Sequence, residues 1–170
     1  ESRVIPLDVE NLFKKLLSVT VHVYRSLGLP AEFKPLNDVV VRGKKISGNG
    51  AGQFGAHTTI LVGNIILDLN YPAMVRVLKV PSEKFRDKMA QSMKEWVTSL
   101  KRELGYIPPI KQIKLTLVEG YENILGIKLN PGSPSTEEEE NWKKEIKPKH
   151  LSQSWLQIGN RRKIITEGKA

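Results

Sequence analysis

Lys45 is placed where a lysine can do chemistry. It sits inside Gly43-Lys44-Lys45-Ile46-Ser47, and behind it glycines stand at 48, 50, 52 and 55. Asp38 lies just upstream, across three valines and a glycine turn. A glycine-rich loop lets backbone amides approach a phosphate or a carbonyl closely. A lysine at the mouth of that loop is a fixed positive charge facing whatever the loop covers. The pairing suits phosphoryl or acyl-phosphate chemistry, where catalysis is mostly positioning and charge stabilisation. Asp38, on the partner strand of a hairpin, could hold Mg²⁺ with phosphate oxygens completing the shell. The plainer reading of the same residues is a surface hairpin with a flexible tip. Gly50, Gly52 and Gly55 also satisfy Gly-x-Gly-x-x-Gly, but a dinucleotide site needs a helix directly after the glycines. Here the next element reads as a strand from Thr58, which removes that possibility.

The elements that must position Lys45 follow from periodicity. Asp8 caps a helix whose apolar stripe is Leu12, Phe13, Leu16, Leu17, Thr20, Val23, Tyr24 and Leu27, stopped by Gly28 and Pro30. His22 lies beside the stripe as a structural or surface histidine. Val39, Val40 and Val41 favour a strand, Arg42-Gly43 a turn, and Lys45-Ile46-Ser47 the return strand. Residues 58–69 read as one long apolar strand, central in a sheet, and Gly63 within it as a bulge or a close approach. A short helix follows Pro72. Ser82 caps a long one, with Phe85, Met89, Met93, Trp96, Val97, Leu100 and Leu104 on its buried face and Gly105 at its end. Ile113, Leu117, Tyr121 and Ile124 fit a helix, while Ile113, Leu115 and Leu117 also alternate as a strand would. Residues 130–134 form a linker. Ser135 or Thr136 then caps a helix with an acidic first turn, Glu137 to Glu140, and lysines at 143 and 144. Residues 147–157 read as irregular, and Lys163 to Thr166 as a last short strand. The sum is an α+β fold, a mixed or antiparallel sheet with packed helices. Residues 1–127 form the main part, and 128–170 the linker, acidic-start helix and tail of the same domain.

Composition narrows the function. The chain has 170 residues and 39% hydrophobic content, which suits one folded domain with a real core. The net charge of +9 suits an anionic partner, although lysine-rich surfaces are common in their own right. There is no cysteine, hence no disulfide, no thiolate metal site and no cysteine nucleophile in this sequence. The longest apolar run is broken by Asp68, so no membrane span is expected. Aromatics are 6% and fall mostly at core spacings, which argues against a nucleic-acid-binding module.

A family resemblance sharpens this. Asn37-Asp38, followed after the turn by Gly43-Lys44-Lys45-Ile46-Ser47-Gly48, resembles the signature of the lipoate–protein ligase A family, within the biotin/lipoate ligase superfamily. The strand Val62-Gly63-Asn64-Ile65-Ile66-Leu67-Asp68 resembles that family's His-Gly-Thr-Leu-Leu-Leu-Asp, with Val62 in place of the histidine. Thr136-Glu137-Glu138 and Ser152-Gln153-Ser154-Trp155 resemble two later, weaker motifs. The family's Arg-Arg and Gly-Gly-Gly stretch is not found; Arg161-Arg162 lies at the wrong end. The expectation is therefore a ligase-like catalytic domain lacking its N-terminal part, either one half of a split enzyme or a truncated chain. Such a chain would carry an open sheet edge, and be inactive or poorly soluble alone.

The resemblance implies ATP-dependent joining of lipoate to AMP, then transfer to a lysine of an acceptor lipoyl domain. It makes Lys45 the catalytic residue. Asn37, Asp38, Ser47, Gly48 and Gly50 become nucleotide- or lipoate-binding candidates, and Asp38 the Mg²⁺ candidate. ATP, Mg²⁺ and lipoate are the implied cofactor and substrates. The implied partners are the E2 component of a 2-oxoacid dehydrogenase or the glycine cleavage H protein, and an N-terminal ligase half. The expected location is cytoplasmic, with no nucleic acid and no membrane involved. The alternatives are a non-catalytic acyl- or partner-binding subunit of the same fold and an octanoyltransferase, whose branch passes the acyl group through a cysteine.

Overall fold

The computed structural model describes residues 8–55, 58–78 and 82–157. Two compact units divide the chain, Glu1–Leu129 and Asn130–Ala170. The first is α+β with antiparallel strand pairing, as the sequence predicts. No helix among the described residues is long and apolar enough to cross a membrane.

Helix α1 (Val9–Ser26) begins as expected, with the Asp8 carboxylate accepting from the Asn11 N–H at 2.8 Å. Its apolar stripe makes one wall of the core, and Leu17, Val23 and Tyr24 are fully buried. Strands β1 (Ala31–Lys34), β2 (Asp38–Val41) and β3 (Lys44–Gly48) form a sheet in that order. Val39, Val41 and Ile46 bury against α1. Arg42 and Gly43 both have positive φ, 48° and 76°, the geometry a tight two-residue hairpin needs to match strand twist. Arg42 is tied down by an ion pair with Glu103, which also accepts from the Thr98 hydroxyl at 2.6 Å.

Several sequence expectations change. The glycine-rich stretch is not a loop: Gly50–Phe54 is strand β4, paired with β5 (Thr58–Val62) as a separate two-stranded sheet. Ladder hydrogen bonds need only the backbone, so glycines do not forbid a strand; they leave it without side chains to pack. β5 stops at Val62, is largely exposed, and is not central. The segment after it runs without regular structure, and its Ile66 and Leu67 carbonyls receive the Leu100 and Lys101 N–H groups instead of a neighbouring strand.

Helix α2 (Tyr71–Val77) follows Asn70. The long helix expected from Ser82 to Leu104 is two. α3 (Glu83–Trp96) is capped by Ser82 and ends at Val97; α4 (Leu100–Leu104) is capped by Ser99. The break is non-local in origin. Val97 bridges Lys45 in parallel and the Thr98 N–H bonds the Lys45 carbonyl at 2.8 Å, pulling the chain into an extended link. Phe85 and Trp96, expected in the core, are 47% and 68% exposed. Residues 110–125 settle as a helix, α5 (Ile110–Leu125), which packs along α1.

In the second unit α6 (Thr136–Asn141) starts at a capping box. The Ser135 hydroxyl accepts from the Glu138 N–H, and the Glu138 carboxylate accepts from the Ser135 N–H at 2.7 Å. Lys143 and Lys144 pair with Glu139 and Glu140 one turn back. Residues 147–157 are helical rather than irregular. A π-helical turn (Trp142–Ile146) leads into α7 (Lys147–Leu151), and Ser152 caps α8 (Gln153–Leu156). The expected strand at 163–166, with Arg161 and Arg162, lies outside the described residues.

The capping box makes a pH prediction. Hydrogen bonds from the Ser135 backbone and then from its side chain hold the Glu138 carboxyl below the usual carboxylate range. A lowered value in the folded state stabilises the helix start above the ordinary carboxylate range, and the benefit is lost as pH falls through the lowered value. In Ser135→Ala the backbone donor remains and the hydroxyl is gone. The Glu138 midpoint, followed by NMR titration, is expected to move part of the way back up; an unmoved midpoint would contradict the box.

Candidate functional site

The site is built on an irregularity in β3. Val40 stands opposite Lys45, but Val39 stands opposite Ser47 and Asp38 opposite Gly48, with the register shifting between Val39 and Val40. Ile46 is thus an extra residue, a β-bulge. Cross-strand partners share a face, so Lys45, opposite Val40, already lies on the face of Asp38, and the bulge brings Gly48 onto that face opposite Asp38. In an unbroken ladder Ser47 would oppose Asp38.

The Lys45 ammonium lies 2.6 Å from Asp38 Oδ1, the lysine side chain being 39% and the aspartate 26% exposed. That oxygen is shielded from solvent and receives no directed hydrogen bond among the described residues, so the lysine holds it mainly as a charge. The lysine stem crosses Gly48. A Cβ there would come within 2.7 Å of the Lys45 Cε and 3.0 Å of the Nζ, closer than side chains pack. A side chain at 48 would make the end of the Lys45 stem shift from its present path to Asp38.

A bulge leaves the extra residue's backbone outside the ladder, and in a core its carbonyl needs a donor. Tyr24 supplies it. The phenol donates to the Ile46 carbonyl at 2.8 Å and accepts from the Ile66 N–H at 3.2 Å. Burial pushes this phenol well above its ordinary pKa, so it stays a neutral donor.

A second tie is polar. The Ser47 hydroxyl donates to the Asn64 carbonyl at 2.6 Å, and the Gly48 N–H donates to the Asn64 side chain at 3.2 Å. The Asn49 amide donates to the Asn37 carbonyl at 2.9 Å, and the Asn37 amide to the Asn49 carbonyl. Gly63 passes so close to the Asn49 side chain that any Cβ there would collide with it, the close approach expected at that glycine. The network borders a cleft of about 170 Å³ between α1, α5 and the segment after β5.

The structure therefore brings Asn37, Asp38, Lys45, Ser47 and Gly48 together. Asn37 spends its side-chain hydrogen bond on the backbone, and the Ser47 hydroxyl divides between the Asn64 carbonyl and, at 3.3 Å, the Asn49 side-chain oxygen. Gly50 is apart: it opens β4 opposite Val62, and a side chain there would meet nothing within 4 Å. Sequence reasoning missed Tyr24, Asn49 and Asn64 as parts of the site. The one available signal was that a tyrosine on a fully buried stripe must find a partner for its hydroxyl.

No group of three or more His, Asp or Glu converges among the described residues. Asp38 presents its shielded oxygen to an ammonium, which would repel a cation at the same place.

Two substitutions test this architecture. Tyr24→Phe leaves one buried carbonyl and one N–H unpaired and is expected to lower the unfolding free energy in urea by about 1–3 kcal/mol; no loss would contradict the bulge contact. Gly63→Ala is expected to destabilise through the Asn49 side chain, and adding Asn49→Ala should recover part of the loss. Additive losses would mean that the two do not touch.

The model of the lipoyl protein ligase A/B catalytic domain family matches residues 1–122. An octanoyltransferase LipM from Kyrpidia tusciae is 34% identical over 119 residues, 69% of this chain and 42% of its own length. A lipoate-protein ligase A subunit 1 from Thermoplasma acidophilum is 28% identical over 168 residues, 94% of this chain and 63% of its own. A solved bi-partite lipoate protein ligase, described with its E2 lipoyl domain from the same organism, superposes at TM-score 0.76 and 26% identity, over 89% of this chain and 59% of that one. A lipoate-protein ligase A bound with ATP shares the fold at TM-score 0.70 and 20% identity, over 88% of this chain and 60% of that one. The chain thus spans from 42% to 63% of the length of these two curated relatives. With the family model covering both the bulged hairpin and the helices around it, the chain belongs to the lipoyl protein ligase A/B catalytic-domain family.

Proposed function

We propose that this chain carries the acyl-adenylate site of a lipoate–protein ligase, with Lys45 as its catalytic cation. The observation that carries the reading is the half-buried Lys45 ammonium, fixed by a bulged strand and by Asp38 rather than free in solvent. In the first step a lipoate carboxylate oxygen attacks the α-phosphorus of ATP, and the bond to pyrophosphate breaks. Lys45 offsets the negative charge on the α-phosphate and the acyl oxygen as it grows. In the second step the amine of an acceptor lysine attacks the acyl carbon. The carbon–oxygen bond to AMP breaks and the amine proton passes to solvent. A compact ammonium serves both steps because the anion moves between them, which suits lysine better than arginine's planar fork.

The proposed acceptor is a lipoyl domain of the E2 or H-protein kind, and the net charge of +9 favours an acidic one. Because the chain spans only part of its relatives, we place the full reaction in an assembled enzyme with further catalytic-domain elements, as in the bi-partite neighbour. The proposed location is cytoplasmic, where such acceptors would be met.

Acyl transfer from a thioester, without ATP, is a second reading, favoured by the 34% identity to an octanoyltransferase. The absence of cysteine from this sequence weighs against it. Two assays on the assembled enzyme separate them: lipoate-dependent exchange of pyrophosphate into ATP, and octanoyl transfer from acyl carrier protein without ATP. Exchange alone is expected, and Lys45→Ala should lower it by about 10²–10³-fold with the fold retained. Transfer without ATP would replace the ligase reading, and an unchanged exchange rate would remove Lys45 from its role.

A further inference from the structure

Asp38 has two conceivable duties, and the geometry favours one. A Mg²⁺ ligand needs a carboxylate oxygen free to face the cation, with other oxygens converging from protein, water or phosphate. A residue that aims a lysine needs its oxygen against the ammonium, and a path cleared for the stem. Asp38 meets the second description at each point. Its shielded Oδ1 is 2.6 Å from the Lys45 Nζ, and no other directed donor among the described residues competes for it. The register sets Lys45 on its face, opposite Val40, and the bulge brings the bare Gly48 directly opposite Asp38, leaving the gap the stem crosses. No cluster of three or more acidic or histidine side chains forms around it among the described residues.

We propose that Asp38 is the positioning residue of Lys45 rather than a metal ligand, and that Gly48 lacks a side chain so that this pairing can form. Resting on the reading of Lys45 as the catalytic cation, this assigns Asp38 and Gly48 to one device that acts on substrate only through the lysine. Any divalent cation then enters on the nucleotide's own phosphates. Asp38→Asn removes the charge from the pair. Gly48→Ala disturbs the same pair without altering any charge, because its methyl must push the stem aside.

The test reads the lysine directly and needs no activity. The assembled enzyme is trace-labelled with limiting acetic anhydride, and mass spectrometry gives the labelling of Lys45 relative to Lys14 and Lys111 of this chain. Asp38→Asn is expected to raise Lys45 labelling about fivefold, as loss of a partly shielded ion pair would. Gly48→Ala should raise it in the same direction, the other lysines and the thermal midpoint staying put. Millimolar MgCl₂ should leave wild-type labelling unchanged. Unchanged Lys45 labelling in both variants overturns the proposal, as does Mg²⁺ that raises wild-type labelling to the Asp38→Asn level. In the assembled enzyme, Asp38→Asn should lower kcat while KM for ATP and lipoate stays within about twofold, and should add nothing to Lys45→Ala. A loss that adds to Lys45→Ala, and that excess Mg²⁺ repairs, would make Asp38 a metal ligand. If exchange activity proves absent altogether the ligase reading fails, and the labelling result still stands or falls separately.

Discussion

One extra residue in β3 is the constraint on which the site depends. Ile46 enters the sheet as a bulge, and two consequences follow from it. Gly48 rather than Ser47 stands opposite the Asp38 carboxylate, on the face that the register gives Lys45; and a buried carbonyl is left outside the ladder. Each consequence has its own use or answer in the fold. The absent side chain at 48 leaves room for the Lys45 stem beside Asp38, and the Tyr24 phenol from α1 meets the carbonyl. A bulge with only one of these would be a defect; with both it is a mount for a lysine.

The mount is stiff because its ties come from different directions. Behind β3, α1 contributes Tyr24. Along its free edge the Thr98 N–H takes the Lys45 carbonyl, and that bond also ends α3. At its end, Ser47 and Gly48 are bonded to Asn64, and Asn49 just beyond to Asn37. Neutral hydrogen bonds of this sort contribute on the order of 1 kcal/mol each, yet leaving a buried one unmade costs more. The arrangement is therefore held less by the gain from each bond than by the cost of breaking it. A preorganised cation needs that property, since a lysine that must reorder during the reaction loses part of the stabilisation it offers.

Local features of this fold were legible in the sequence where local physics decides them. Asp8, Ser82 and Ser135 cap helices because a short oxygen-bearing side chain meets free N–H groups wherever a helix starts. The α1 stripe and the Arg42-Gly43 turn follow in the same way, and the resemblance singled out Lys45. What was not legible depends on distant partners. Nothing in Lys-Ile-Ser says that Ile46 is the extra residue, because a bulge is a relation between two strands. The helix period runs unbroken through Trp96 and Val97, and the chain leaves it where Val97 and Thr98 meet Lys45 and Ser99 caps α4. Gly50–Phe54 reads as a loop because glycines carry no pattern, whereas its pairing with β5 is a backbone matter. Asn49 and Asn64 look like loop residues until the fold sets them beside Ser47 and Asn37.

The central claim is that the Lys45 ammonium is held ready for an anion at the acyl-phosphate linkage. A crystal structure of the assembled enzyme with a non-hydrolysable acyl-adenylate analogue tests it most directly. The account predicts the Lys45 Nζ within about 3 Å of an oxygen on the linkage, with the Ile46 bulge unchanged. An analogue bound elsewhere, with Lys45 still reaching only Asp38 and solvent, would contradict it.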